Sequence, residues 1–497
     1  MPVSSAPQET RWTRIARKRR ALGRLGRRVS PLAPTFGLLR LWFRSAISPT
    51  EQYLFALSIV IGVLTGFGSV GFVKLLHVIS DFAQGSIASA LGIFGPANLV
   101  LLPALGGLMV GPIIARFAKE AKGHGVPEVM TALAVRRGHI RTRVAFVKVI
   151  ASSLTIGFGG AAGREGPMVQ IGATIGSMTA RLSNLPAHKV RAMVACGAAG
   201  GVAATFNAPI AGAIFAVEVL MGRIRTDFLH ILLTSLTSCL IAQTYLGKEP
   251  AFLVPNYELV SPGEVGLYLI MGLLLGFAAI GYVRLLYWSE DFFDSWRFPD
   301  WLKPAIGGLM VGVLLRYYPQ IYGSGFPAIK SALWVEFPWE LLAVLFVVEM
   351  IGNCATLGSG GSGGVFAPAL YMGAMAGGAF GSLAHVLYPA WTAGSGAYAL
   401  VGMAAFFAAT AKAPMTSILI LFEMTDDARI MLPLMAATAA SVAVSNRLTP
   451  FSVYTLKLHN RGISFPFDER AEGRTPPKEP RGADVTTPTP PLAEAIE

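Results

Sequence analysis

Apolar residues dominate long stretches of this chain: Leu54–Val73, Leu99–Ile114, Phe228–Tyr245, Leu267–Leu286 and Leu341–Ile351. A helix needs about 20 apolar residues to cross the hydrocarbon of a bilayer. Several of these runs are shorter than that, or are cut by Gly or Pro. With 55 Gly and 32 Pro in the chain, the pattern predicts broken and re-entrant helices as well as simple spans.

The apolar pattern also repeats. GFGSVGFVKLLHVISDF from Gly66 returns as GFAAIGYVRLLYWSEDF from Gly276, and PALGGLMVG from Pro103 as PAIGGLMVG from Pro304. GHGVPEVMTAL from Gly123 returns as GSGFPAIKSAL from Gly323. GREGPMVQIGATIG from Gly163 aligns with GVFAPALYMGAMAG from Gly364. GAAGGVAATFNAPIAGAIFAVE from Gly197 aligns with GMAAFFAATAKAPMTSILILFE from Gly402. Five blocks in one order, each 200 to 210 residues after its mate, make the body a duplication. The expected organisation is a basic segment over 1–47, a first repeat over 48–246 and a linker over 247–263. A second repeat over 264–459 and a polar, Pro-rich, disordered tail over 460–497 complete it. Repeats of this kind in transporters place the site where the halves meet, near mid-membrane.

Composition narrows the class. Hydrophobic types make up 53% of the 497 residues, charged types 14%, and mean hydropathy is +0.55. Soluble domains carry roughly a quarter charged residues, so a multi-pass integral membrane protein is expected. The formal charge is +13. Nine Lys or Arg fall between Arg11 and Arg28, and RRGHIRTR spans Arg136–Arg143. Basic flanks mark the cytoplasmic side, which puts the N-terminus inside; the plasma (inner) membrane is the expected location. The basic arm suits anionic lipid headgroups; no nucleic-acid partner is expected. No cleavable leader is legible. Cys196, Cys239 and Cys354 stand in apolar surroundings without metal-ligand spacing and read as small buried hydrophobes. No cofactor is expected.

Three Gly/Pro-rich breaks interrupt the apolar runs: GHGVP (Gly123–Pro127), GREGP (Gly163–Pro167) and GVFAP (Gly364–Pro368). Gly supplies turn geometry and Pro suits a first helical turn. Each break is therefore expected to start a helix, whose first N–H groups lack intrahelical acceptors. A helix N-terminus carries about half a positive charge. Several such ends converging within the membrane would hold an anion without a full buried cation, and so release it again.

These motifs, with the FNAP segment Phe206–Pro209, resemble the CLC family of chloride channels and proton-coupled chloride transporters. The resemblance runs from about Glu51 to Leu458. It implies an all-α polytopic CLC fold, two halves of inverted topology with broken helices, and a homodimer with one pore per subunit. It implies chloride ions as the bound substrate. In it, Glu165 is the gating carboxylate, which competes with chloride and swings away when protonated. Arg164 and Gly166 lie in the same anion-binding motif, and Gly125 in the first break. Val365 and Phe366 offer backbone N–H groups to the ion, and Tyr454 its hydroxyl.

Two positions depart from the pattern. His124 stands where much of the family has the serine that holds the central ion. An imidazole titrates nearer neutrality than other side chains, so anion affinity or selectivity is expected to follow internal pH. Val219 stands where coupled transporters of this kind usually hold the glutamate of an internal proton relay. Valine carries no proton, and the expectation is channel-like conduction, with proton-coupled chloride antiport as the alternative. Glu218 and Glu423, equivalent in the repeat, are expected to share a structural role. An organic-solute transporter would need polar side chains that the breaks lack. An intramembrane hydrolase using Ser359 or Ser362 with His77, His124 or His139 lacks a nucleophile motif, so no enzyme activity is expected.

Overall fold

The structure is a computed structural model. It describes residues 49–222, 227–248, 254, 257, 259–425 and 427–464. The basic segment 1–47, residues 249–253, 255–256 and 258 of the linker, and the tail beyond 464 lie outside the described residues. The chain divides into two units, Met1–Ala56 and Leu57–Glu497. Of the first, only the opening turns of a helix are described; the second holds the rest of the fold.

We number the α-helices of at least six residues. The first half contains α1 (Pro49–Phe82), α2 (Asn98–Phe117), α3 (Val126–Ala134), α4 (Thr142–Gly157), α5 (Glu165–Leu182), α6 (Ala187–Phe206), α7 (Pro209–Phe215) and α8 (Phe228–Leu246). The second half contains α9 (Glu264–Ser295), α10 (Lys303–Tyr317), α11 (Phe326–Leu333), α12 (Trp339–Gly358) and α13 (Phe366–Leu387). It continues with α14 (Ser395–Ala411), α15 (Pro414–Thr425), α16 (Met431–Leu448) and α17 (Thr455–Asn460). The described residues contain no strand longer than an isolated bridge. Among the described residues, six helical stretches are long and apolar enough to cross a bilayer: Thr50–Ile93, Asn98–Phe117, Phe228–Leu246, Glu264–Ser295, Trp339–Gly358 and Phe366–Leu387. The other helices are short or less apolar, as the Gly/Pro cuts predict.

Packing between the halves is reciprocal. Gly107 on α2 lies so close to the Pro304 carbonyl of α10 that a Cβ would collide with it; Gly308 on α10 meets the Pro103 carbonyl of α2 in the same way. Within the halves, Gly172 on α5 abuts Gly197 on α6, and Gly373 on α13 abuts Gly402 on α14. In lipid, helices gain little by hiding apolar surface from one another, so association depends on close backbone approach at small residues. Glycines kept at the same repeat positions thus hold equivalent crossings in both halves.

At the start of the polar tail, Arg461 pairs with Glu128 on α3 (Nη1–Oε1 2.8 Å), a carboxylate 333 residues upstream in sequence.

Candidate anion site

Each of the three breaks starts a helix: α3 at Val126, α5 at Glu165 and α13 at Phe366. A fourth, GSGFP, starts α11 at Phe326. Gly125 has φ +77°, a left-handed angle that favours glycine, and a Cβ there would lie 2.8 Å from the Gly166 carbonyl. Gly166 is boxed in on two sides. Its Cβ position collides with the His124 carbonyl and lies 2.9 Å from Gly364 Cα. Three interrupted segments, far apart in sequence, therefore meet backbone to backbone at this glycine.

Two short bridges lock the meeting. Gly123 pairs with Ser362, and Gly163 with Gly364. The Gly123 N–H donates to Gly361 O (3.0 Å) and the Gly364 N–H to Gly163 O (2.6 Å). Ser362, considered above as a nucleophile, donates its hydroxyl to Ala121 O (2.8 Å) and sits 2.9 Å from the Ser152 hydroxyl.

Glu165 is fully buried at the first turn of α5. Its Oε2 accepts the Ala367 N–H of α13 (3.3 Å). Glu165 thus places a carboxylate oxygen on an amide of the other half's helix start. That is where partial positive charge collects. The next amides out, Val365 and Phe366, belong to the same turn, and neither donates to an acceptor among the described residues. Arg164 Nε stands 4.0 Å from Glu165 Oε1, and its guanidinium lies over the Phe326 ring of α11 (5.2 Å). Phe366 is set among Phe407, Phe206 and Phe215, with ring centroids 3.9, 4.7 and 6.4 Å away. In a lipid surround these contacts position the ring more than they drive folding.

On the other side of the meeting point, the His124 ring lies 6.1 Å from that of Tyr454 and 6.4 Å from that of Tyr287. His124 and Tyr454 are buried, at 3% and 1% exposure. The structure therefore gathers His124, Gly125, Arg164, Glu165, Gly166, Val365 and Phe366 at the three breaks, with Tyr454 against His124. Val219 stands apart from this set. It lies in a buried π turn after α7, and the preceding Glu218 is engaged with α15.

Sequence reading passed over two participants and one further buried charge. Lys148 on α4, fully buried, donates to the carbonyls of Ala121 (3.0 Å) and Gly123 (2.6 Å), fixing the backbone just before His124. A charge inside an apolar helix is itself a signal, and here it was available. Glu349 on α12 carries the same signal. It stands 201 residues after Lys148, so it is the repeat mate, and both its oxygens are buried without a hydrogen bond among the described residues. Tyr287 on α9 gave no such sign. Its repeat mate is His77, and only tertiary contact brings it to His124. No group of three or more potential metal-ligating side chains occurs among the described residues.

Comparison with known proteins agrees with this geometry. The family model for voltage-gated chloride channels matches residues 106–446. A putative chloride channel protein, ClcB-like, from Ralstonia nicotianae is 36% identical over 380 residues, covering 76% of this chain and 88% of the relative. The H(+)/Cl(-) exchange transporter ClcA of Vibrio cholerae is 31% identical, covering 81% and 88%. Among solved structures, a slow cyanobacterial Cl−/H+ antiporter superposes with a TM-score of 0.75 at 27% identity, covering 82% of this chain and 97% of that one. With three broken helices meeting around a buried carboxylate, and with these relatives along most of its length, the chain is an anion-transporting, multi-pass membrane protein that belongs to the CLC family of chloride channels and antiporters.

Proposed function

We propose that the protein exchanges chloride for protons across the membrane, with Glu165 as the group that both gates the anion path and carries the proton. The observation that carries this reading is the Glu165 Oε2 bond to the Ala367 N–H. One position at a helix start serves either a carboxylate or a chloride ion, not both. Protonation removes the charge that holds Glu165 there and opens the place to the anion. Chloride occupancy and proton loading are then alternatives on one site, which is the minimum that exchange requires. The relatives from Vibrio cholerae and the cyanobacterium, named as exchanger and antiporter, support it.

The channel-like reading keeps one specific support. Val219, 6% exposed, leaves the internal relay position without a titratable group. Proton-loaded liposomes separate the two readings. Under a chloride gradient at symmetric pH, exchange drives protons uphill; under a pH gradient in symmetric chloride, it shifts the reversal potential. Chloride flux with no proton movement would instead assign channel conduction. The working unit in this reading is a homodimer with one pore per subunit in the plasma (inner) membrane.

A further inference from the structure

The hydrogen bonds around His124 fix which ring nitrogen holds its proton. The Tyr287 hydroxyl lies 2.5 Å from the Val453 carbonyl and 3.3 Å from His124 Nε2. A carbonyl only accepts, so the single hydroxyl proton of Tyr287 goes to Val453 O. Toward Tyr287, His124 must then be the donor, and Nε2 carries the hydrogen. In a neutral ring that leaves Nδ1 as a bare lone pair. Nδ1 is buried and has no hydrogen-bond partner among the described residues. A lone pair repels chloride, whereas the serine of the family pattern offers a hydroxyl proton at this place.

We propose that chloride enters the site beside His124 together with a proton, which binds Nδ1 and turns a repelling lone pair into a charged donor. This rests on the anion-site reading above. The charged and titratable groups around the ring set the balance. Tyr287 and Glu290 face it from α9, Lys148 from α4, and Tyr454, Lys457 and Arg461 from the α17 region. Glu290 is already paired with Lys457 (2.6 Å), and Arg461 with Glu128. Burial and the remaining positive charge oppose an imidazolium in the empty site. A chloride ion supplies the missing counter-charge, so the two ligands favour each other, as linkage requires. The proton comes from bulk solution; no bond other than N–H forms.

The test is isothermal titration of purified protein with sodium chloride at about pH 7.5, in buffers of different ionisation enthalpy. Glu165→Gln is the background, so that protonation of the gate contributes nothing. The expected result is uptake of about one proton per chloride, and affinity that falls about tenfold per pH unit. His124→Ser should bind chloride with no proton uptake. Tyr287→Phe frees Nε2, lets the neutral ring carry its hydrogen on Nδ1, and should bind chloride with uptake well below one. Chloride binding without proton uptake in the Glu165→Gln protein overturns the proposal while leaving the anion site intact. Undiminished uptake in either further variant also overturns it. No chloride binding to wild-type protein between about pH 5 and 8 overturns the anion-site reading itself.

Discussion

Glu218 and Glu423 cap each other's halves. The Glu218 carboxylate accepts the N–H groups of Met415 (3.1 Å) and Thr416 (2.8 Å) at the start of α15, with the Thr416 hydroxyl at 2.6 Å. The Glu423 carboxylate accepts those of Ile210 (3.0 Å) and Ala211 (2.7 Å) at the start of α7. Each half supplies the acceptor that the other's helix start lacks. The pair ties the two repeats across their interface and accounts for Glu218 without a proton-carrying role.

Removing either carboxylate should therefore cost stability rather than selectivity. Glu218→Ala or Glu423→Ala leaves two helix-start amides without their capping acceptor, a loss of about 0.5–2 kcal/mol. The thermal midpoint in detergent should fall for both variants. The chloride-to-nitrate permeability ratio in liposomes should stay at the wild-type value.

Gly166 should tolerate no side chain. Gly166→Ala pushes a methyl into the His124 carbonyl and against Gly364 Cα. Overpacking of this sort costs about 1–3 kcal/mol, and here it forces the three segments apart. Chloride efflux from liposomes should drop at least tenfold. Gly71→Ala is the control, because nothing lies within 4 Å of a Cβ there, and it should transport as wild type.

Neutralising the proposed gate should leave a two-sided signature. Glu165→Gln removes the charge that competes for the Ala367 amide. Chloride flux should persist and lose its dependence on external pH, while chloride-driven proton movement should vanish. Simultaneous chloride and proton electrodes on one liposome sample read both.

Lys148 and Glu349 occupy matching repeat positions but should respond oppositely. Lys148→Met strips two carbonyl bonds from the segment before His124, so both thermal midpoint and chloride flux should fall. Glu349→Gln keeps the shape and abolishes any need to bury a charge that has no partner. Its midpoint should equal or exceed wild type, measured by tryptophan fluorescence on heating.

Much of this was legible early. The five ordered blocks exposed the duplication, because glycines that let backbones touch cannot drift without loss of packing. The Gly/Pro punctuation marked helix starts at Val126, Glu165 and Phe366. The apolar run Leu341–Ile351 concealed Glu349, since an average over a window hides one charge. The pairing of Arg461 with Glu128 was not legible, because the two lie in distant parts of the chain.

The amino-acid order by itself determined the class, the repeat and the places where helices break. Those follow from local chemistry: apolar length, backbone angles open to glycine, and the proton that proline lacks. Only the tertiary structure decided which broken ends meet, and which hydrogen sits on His124. The Tyr287 hydroxyl that settles the latter is 163 residues away. Its own proton is claimed by Val453, 166 residues further on. The direction of a hydrogen bond depends on what else its donor touches, and that is fixed only when distant segments are folded together.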